Sequence, residues 1–308
     1  MIKYSGSITD IKGILVGNAS DPGRTTGVTA VLAEKGAVCG VDVRGSAPGT
    51  RETALLGQAK TVDTVHCIML CGGSAFGLDA AGGAMKFLEE KGCGFKTPFA
   101  TVPIVPACAI YDLDYVSPDV RPDGDMGYAA CKAAAESFMQ GSFGAGTGAT
   151  VGKIMGPDHA QKSGVGTSSI ELGDGIMVAS IAVVNAFGDI YDRNDIIAGA
   201  SDDSGYIDTE KSFIDLKPDF FGTNTTIGVI ATNAKLTKDE ATKLAQMGNN
   251  GICSAVRPSH TVFDGDTVFG LSCGDRELPL AYLTAAAQET FRRSVVNAVL
   301  AAGSETER

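Results

Sequence analysis

An asparagine–threonine pair at the start of an apolar segment carries the most specific chemistry in this sequence. Asn224 and Thr225 follow Gly222 and precede the apolar, β-branched run 226–230, which predicts that a loop enters a buried strand at Thr225. A cut between the two residues would give Thr225 a free α-amine beside its own hydroxyl. An α-amine has a reference pKa of about 7.7–8.0, so near neutral pH it is able to act as the base that activates the hydroxyl. Taken alone, these residues also fit an ordinary loop that leads into a strand.

Two aspartates further along the chain form the second candidate cluster. Asp264 and Asp266 are separated only by Gly265. On a strand both side chains would lie on one face, and on the tight turn that glycine favours they would converge on one point. From the residues alone, a plain Asp-Gly-Asp turn or a cation site is favoured over a catalytic pair.

Several neutral or basic side chains are further candidates. Asn185 ends a long apolar segment, where a buried amide is either a structural hydrogen-bonding group or a donor to a substrate oxygen. Tyr111 is predicted within a strand at 108–113, and its hydroxyl is a donor of the same kind. His260 lies close to Asp264, but no GxSxG motif accompanies it, so we expect a structural role for it.

The elements that must position these residues can be predicted from apolar periodicity. Strands are expected at 13–17, 28–32, 37–43, 66–70, 101–106 and 175–186, and helices at 78–91, 125–139, 238–248 and 279–302. Thr237 and Glu240 form a capping box that predicts the start of the third helix. The polar segment 192–219 is expected to be an irregular, flexible insert. Many strands and a few long helices indicate two sheets with helices outside them.

Composition limits the class of protein. The 308 residues contain no low-complexity linker, so we expect a single domain over 1–308. The net charge of −11 argues against nucleic acid and anionic membranes as partners. There is no apolar run of membrane-spanning length, and the first residues lack a signal-peptide core, so we expect a cytoplasmic protein.

The cysteines and histidines are not spaced like metal ligands. The eight cysteines form no CxxC pair and lie mostly in apolar surroundings, which predicts buried free thiols. The three histidines share no metal-ligand spacing, and the sequence has neither a GxxxxGK[ST] nor a GxGxxG phosphate-binding loop. We therefore expect no cofactor and no bound metal.

Seven segments in order along nearly the whole chain resemble one family. The sequence is similar to the self-processing aminopeptidases of the DmpA type, which include L-aminopeptidase/D-esterases, β-peptidyl aminopeptidases and endo-type 6-aminohexanoate-oligomer hydrolases. The Asn-Thr junction and the two aspartates favour the last branch. The matching segments are Gly40-Val-Asp-Val-Arg-Gly45 with Pro48-Gly-Thr-Arg-Glu-Thr53, Gly72-Gly-Ser-Ala-Phe-Gly-Leu-Asp79, Gly144-Ala-Gly-Thr-Gly148, Gly164-Val-Gly-Thr-Ser-Ser169, Val184-Asn185, Asn224-Thr225-Thr226 and Asp264-Gly-Asp-Thr-Val-Phe269.

The resemblance implies a fold and an assembly. The fold is an α/β (α+β) four-layer α-β-β-α sandwich of the DmpA/ornithine-acetyltransferase type, like that of N-terminal-nucleophile hydrolases but differently connected. The chain is expected to cut itself between Asn224 and Thr225 into an α subunit, 1–224, and a β subunit, 225–308. Four such αβ units would form a homotetramer.

The resemblance also implies roles for the candidate residues. Thr225 is the expected nucleophile, both in the cut after Asn224 and in an acyl-enzyme formed from an amide substrate. Asp264 and Asp266 are expected to position its ammonium and hydroxyl. Asn185 and Tyr111 are the expected oxyanion or substrate-orienting donors. The nylon-oligomer branch also uses a lysine near the site, for which Lys153 is our choice and Lys162 the second candidate. The expected catalytic residues are therefore Thr225, Asp264, Asp266, Asn185, Tyr111 and Lys153.

The expected function is therefore hydrolysis of a small amide or short peptide by an N-terminal threonine. One alternative is acyl transfer to an amine, as in the ornithine acetyltransferases, which depends on excluding water from the acyl-enzyme. The other is a non-catalytic binding protein on the same scaffold, against which the intact set of Thr225, Asp264 and Asp266 argues.

Overall fold

The computed structural model describes residues 2–216 and 224–306, so the predicted turn residue Gly222 lies outside the described residues. Within these ranges the chain forms six helices, which are α1 (Ser74–Gly77), α2 (Ala80–Glu90), α3 (Gly124–Lys132), α4 (Thr209–Leu216), α5 (Lys238–Ala255) and α6 (Leu280–Thr306). None of these helices is both long enough and apolar enough to span a membrane.

The strands are numbered in chain order. They are β1 (Leu15–Ser20), β2 (Gly27–Val43), β3 (Gly49–Arg51), β4 (Thr64–Cys71), β5 (Phe95–Lys96), β6 (Thr101–Val102), β7 (Ala107–Ala109), β8 (Thr150–Val151), β9 (Gln161–Lys162), β10 (Val165–Glu171), β11 (Met177–Asn185), β12 (Asp189–Asp192), β13 (Asp195–Ala198), β14 (Ser201–Asp202), β15 (Gly205–Tyr206), β16 (Thr225–Ala234), β17 (Val256–Arg257) and β18 (Thr267–Arg276).

A nine-stranded mixed sheet is the largest sheet in the described part of the chain. Its strand order is β10-β11-β16-β18-β2-β4-β7-β3, with β1 also paired to β2. The neighbours are antiparallel except for the β16–β18 and β4–β7 pairs, which are parallel. Strand β16, which begins at Thr225, therefore lies between β11 and β18 inside the sheet.

The long strand β2 divides this sheet into two facing halves. Its first part pairs with β1 and β4, and its second part, from Val38 to Val43, pairs with β18. The pairing with β4 extends as far as Val38. The apolar pattern predicts two separate strands at 28–32 and 37–43, but the structure has one strand, Gly27–Val43, with a register irregularity between Leu32 and Ala37. A strand that bends at such an irregularity is able to belong to both layers of a sandwich.

Side-chain alternation along the strands creates three apolar layers. Ile227 and Val229 of β16 point into the central core between the two halves of the sheet, together with Ile68 and Leu70 of β4. Ile230, on the other face of β16, packs with α5 and α6. The outer face of the β1–β4 half is covered in the same way by α2 and α3. The layers are thus α-β-β-α, and the predicted fold class is confirmed.

Helix and strand ends differ from the predictions in places where tertiary pairing replaces local preference. The predicted capping box forms at Thr237, but α5 continues to Ala255. Helix α3 ends at Lys132, seven residues before the predicted end at 139, because Ala135 pairs through its backbone with Val16 of β1. These differences reflect contacts between distant parts of the chain, which the apolar period does not encode.

Two further predictions are corrected by the structure. Segment 192–216 is not irregular: it contains β13, β14, β15 and α4, while residues 217–219 lie outside the described residues. Tyr111 does not lie in a strand, since β7 ends at Ala109. Beyond it, the backbone of Ile110 hydrogen bonds with Cys71 and Ser74, which leads the chain out of the sheet toward the glycine-rich turn after β4.

Candidate active site

Thr225 occupies the first position of β16, and its surroundings are set by strand register. It is 3% exposed. Asn185, the last residue of β11, is its partner on the neighbouring strand. Directly paired residues of antiparallel strands share a face, so the two side chains belong to the same site. The Thr225 hydroxyl donates a hydrogen bond to the carbonyl oxygen of Asn224, the residue that precedes it.

The peptide bond between Asn224 and Thr225 is held against the turn that precedes β18. The N–H of Asn224 donates to the carbonyl of Phe263 at 2.9 Å, and the Asn224 carbonyl accepts from the N–H of Gly265, also at 2.9 Å. Attack on this carbonyl would place negative charge on an oxygen that already faces a backbone donor. The Gly265 N–H therefore meets the geometric requirement for an oxyanion donor.

Glycine is required at position 265 by the close approach of two other segments. A β-carbon there would lie 2.5 Å from the carbonyl oxygen of Ala47 and 2.9 Å from the Thr225 hydroxyl oxygen. The segment that includes Ala47 is itself fixed on this turn, because the N–H of Ala47 donates to the Asp264 carbonyl at 2.9 Å and that of Arg44 to the Asp266 carbonyl at 3.0 Å. Any side chain at 265 would thus displace Thr225 or the segment behind it.

The carboxylates of Asp264 and Asp266 are held by different partners. Asp266 accepts hydrogen bonds from the N–H of Thr226 at 2.5 Å, from the ring of His260 at 2.7 Å and from the His260 N–H at 3.2 Å. Asp264 accepts from both the N–H and the hydroxyl of Thr261 at 2.7 Å. Asp266 is therefore tied directly to Thr226, the residue that follows Thr225, and both carboxylates are buried.

These environments shift the pKa values of Asp264 and His260. Burial and the charge of Asp266 raise the pKa of the Asp264 carboxyl to about 7. Burial lowers the pKa of His260, but hydrogen bonds to Asp266 and Cys253 more than offset this effect and raise it to about 10. His260 is thus a cation at neutral pH that supports Asp266, while Asp264 is able to exchange a proton there. The structural role expected for His260 therefore includes a hydrogen bond to the Asp266 carboxylate.

Lys153 and Asn185 form a buried pair beside Thr225. The Lys153 Nζ donates to the Asn185 Oδ1 at 2.8 Å, and the Thr150 N–H donates to the same oxygen at 3.1 Å. Burial lowers the pKa of the Lys153 ammonium to about 8, although Asp114, Asp112 and Asp264 act in the opposite direction. The Asn185 amide is thereby fixed with its Nδ2 toward the Tyr111 carbonyl, to which it donates at 2.7 Å.

The remaining candidates lie around this pair. Tyr111 contacts the site through its backbone carbonyl, and the oxyanion role predicted for its hydroxyl stays a prediction. Lys162 donates to the backbone carbonyl of Ala149 at 2.8 Å and lies over the ring of Tyr115. The structure therefore brings Lys153 to Asn185 and Lys162 to a neighbouring turn. The backbone N–H of Gly265, which donates to the Asn224 carbonyl, was not predicted from the sequence. The glycine between two aspartates was nevertheless a visible sign of a tight turn there.

The dependence of kcat/KM on pH tests whether the charges around Thr225 set the pKa of its amine. If the Thr225 amine is the base, kcat/KM for an amide should fall toward acid pH with an apparent pKa between about 6 and 8. A nearby carboxylate raises the pKa of an amine, so Asp264→Asn should move the limb to lower pH in any remaining activity. Asp203→Asn, at an exposed position, is the matched control and should leave the limb in place. A profile that stays flat down to pH 5 would exclude this amine as the base.

Comparisons with known proteins find similarity to peptidases along the chain. A sequence model of peptidase family S58 matches residues 6–308. The chain is 39% identical to an uncharacterized aminopeptidase of Mycobacterium leprae (strain TN), over 97% of this chain and 91% of that protein. It is 32% identical to a 6-aminohexanoate-oligomer endohydrolase of Kocuria sp. (strain KY2), over 88% of this chain and 76% of that protein.

A solved structure shares the fold at lower sequence identity. The L-aminopeptidase D-Ala-esterase/amidase of Ochrobactrum anthropi, which is a variant of the Ntn hydrolase fold, superposes with a TM-score of 0.73 at 19% identity. The match covers 98% of this chain and 88% of that chain. The four layers of the present structure are therefore of that type.

Proposed function

The chain belongs to peptidase family S58 and is a peptidase or amidohydrolase, and on that premise we propose that it is a self-processing amide hydrolase whose nucleophile is Thr225. The single observation that carries this proposal is the position of the Asn224 carbonyl. It lies between the Thr225 hydroxyl, which donates to its oxygen, and the Gly265 N–H at 2.9 Å. A nucleophile and an oxyanion donor thus meet at one peptide bond.

Maturation follows from this geometry in two steps. The Thr225 oxygen attacks the Asn224 carbonyl carbon, and the Gly265 N–H stabilises the negative charge on the carbonyl oxygen. The C–N bond then breaks, the acyl group stays on the threonine oxygen, and the Thr225 nitrogen takes up the hydroxyl proton to become an amine. Water then hydrolyses this ester. The products are a carboxylate at Asn224 and a Thr225 with a free hydroxyl and a free α-amine.

Turnover uses the same groups on an external amide. The freed amine accepts the proton of the Thr225 hydroxyl as the oxygen attacks, and it returns a proton to the leaving amine. The acyl group remains on the threonine oxygen until water removes it. Asp266, supported by His260, supplies negative charge beside an ammonium at this position. On the β11 side of the site, Lys153 donates a hydrogen bond to Asn185, and the two residues orient the bound groups there.

The substrates that we propose are small amides and short peptides. Relatives of this chain include a protein named as an aminopeptidase and one named as a 6-aminohexanoate-oligomer endohydrolase, and both activities act on amide bonds. We also propose a cytoplasmic location, which the free state of all eight cysteines supports, and a homotetramer of two-piece units. Light scattering of the purified protein tests the latter.

The test combines the state of the chain with activity. Intact mass spectrometry of the purified protein should show two polypeptides, 1–224 and 225–308, and the second should begin with threonine. The same sample should hydrolyse members of a panel of aminoacyl p-nitroanilides and 6-aminohexanoate oligomers. An active protein that remains a single polypeptide would contradict the proposal. A cut protein that transfers acyl groups to amines but leaves the whole panel intact would favour the acyltransferase alternative.

A further inference from the structure

Asp112 is a buried carboxylate close to the candidate site, and it takes no part in the steps of maturation or turnover described above. We propose that Asp112 is a positioning residue, which fixes the Asn185 amide through the backbone and supplies a negative charge to the Lys153 ammonium. This inference rests on the proposed function and deepens it, because Asp112 acts on the same site without touching the reacting atoms.

The Asp112 carboxylate is enclosed by three other segments of the chain. It is 1% exposed, and it accepts hydrogen bonds from the N–H of Gly73 at 2.6 Å and from the Thr26 hydroxyl at 2.7 Å. A β-carbon at Gly72 or at Gly148 would lie 2.4 Å from its Oδ2 atom. The carboxylate is therefore fixed in one position, and the two glycines leave the space that it occupies.

The backbone of Asp112 connects this fixed carboxylate to Asn185. Asp112 shares a peptide unit with Tyr111, whose carbonyl accepts a hydrogen bond from the Asn185 Nδ2 at 2.7 Å. With its Nδ2 held there, the amide presents its Oδ1 to the Lys153 Nζ at 2.8 Å. Asn185 is the strand partner of Thr225, so a shift of the Tyr111–Asp112 peptide reaches the site through these two hydrogen bonds.

Three carboxylates oppose the loss of charge from the buried Lys153 ammonium. Burial lowers the pKa of this group to about 8, while Asp114, Asp112 and Asp264 act in the opposite direction. Asp114 is exposed, so water and salt screen its charge. Burial and the charge of Asp266 raise the pKa of Asp264 to about 7, so Asp264 carries only part of its charge at neutral pH.

Asp112 differs from the other two carboxylates because it is buried and hydrogen-bonded at the same time. Burial raises the pKa of its carboxyl, but the hydrogen bonds from Gly73 and Thr26 and the charge of Lys153 act in the opposite direction. Hydrogen bonds of this kind favour the ionised form of a carboxyl group, and charges interact more strongly where water is excluded. The charge on Lys153 should therefore depend on Asp112.

Asp112→Asn removes the charge and keeps the shape of the side chain. The new amide is able to accept from the Gly73 N–H and to donate to the Thr26 hydroxyl, so both contacts persist. Without the negative charge, the Lys153 ammonium loses its proton at lower pH. In the cut protein we expect the alkaline limb of kcat/KM for an aminoacyl p-nitroanilide, near pH 8 in the wild type, to move down by about 0.5–1 unit. The activity should then fall by about 3- to 10-fold above pH 9 and change little below pH 6.

Thr26→Val is the matched variant, because it removes one hydrogen bond to the carboxylate but keeps the charge. It loosens the Tyr111–Asp112 peptide, so we expect kcat/KM to fall by about 2- to 5-fold at every pH while the alkaline limb stays in place. Equal losses in both variants with the wild-type limb would show that Asp112 only stabilises the fold, and would overturn the inference. Wild-type kcat/KM in Thr26→Val would overturn the positioning role even if Asp112→Asn did not fold.

The wild-type protein separates this inference from the proposed function. If it is cut at Thr225 and active, but its kcat/KM stays flat from pH 7 to pH 10, the charge of Lys153 does not limit activity; the inference then fails alone. A protein that is neither cut nor active would overturn the proposed function, and the role of Asp112 with it. Intact mass and circular dichroism establish the cut and the fold of each variant before the pH profiles are compared.

Discussion

Thr225→Ala is expected to leave the protein as one polypeptide and to lower kcat/KM for an amide substrate by about 10⁴-fold or more. The substitution removes the oxygen that both steps require, while the Gly265 N–H and the rest of the turn stay in place. It removes only the hydroxyl and the methyl group of one side chain at the first position of the buried strand β16, so the protein should fold. Intact mass measures the cut, and steady-state kinetics measure the loss.

Thr225→Ser is the matched control for that variant. Serine keeps the hydroxyl and, after the cut, the α-amine, so this protein should still process itself and retain activity, although the loss of the methyl group frees the side chain to adopt other rotamers. If Thr225→Ala were cut and active like the wild type, Thr225 would not be the nucleophile. If both variants stayed uncut but folded, attack by this hydroxyl would not explain maturation.

Local sequence patterns were sufficient to predict several parts of this structure. The apolar run after Thr225 predicts the strand β16, and the Thr237–Glu240 capping box predicts where α5 begins. Both patterns depend on residues a few positions apart, so the chain encodes them directly. The α-β-β-α layering follows from the order of strands and helices together with the family resemblance.

Other features depend on pairing between distant segments and have no local signature. The donor to the Asn224 carbonyl is the backbone N–H of Gly265, and a backbone group is the same at every residue except proline. Asn185 faces Thr225 only because β11 and β16 pair in one register. A shift of one residue would place Asn185 on the opposite face, and residue types alone do not fix that register.

The sequence alone also does not show which of two lysines lies at the candidate site, since both follow the glycine-rich segment near residue 148. Lys153 is 4% exposed and donates to the Asn185 amide oxygen. Lys162 donates to backbone carbonyls, of which that of Ala149 is the nearest at 2.8 Å. The Lys153 ammonium is therefore held by a side-chain amide and that of Lys162 by backbone carbonyls. Of the two, only Lys153 contacts Asn185, the residue that pairs with Thr225 across the strands.

Lys153→Met is accordingly expected to lower kcat/KM by about 10²- to 10³-fold and to slow the cut after Asn224. Methionine keeps much of the buried volume but removes the cation and the donor to Asn185, so the amide loses its fixed orientation and the developing oxyanion loses a nearby positive charge. Lys162→Met is the matched control, and in its folded form it should be cut and active. Intact mass, kcat/KM and circular dichroism of both variants check this result. Wild-type activity in Lys153→Met would remove Lys153 from the mechanism. Equal losses of activity in the two folded variants would do the same, because they would show that replacing Lys153 has no effect beyond that of replacing a nearby lysine.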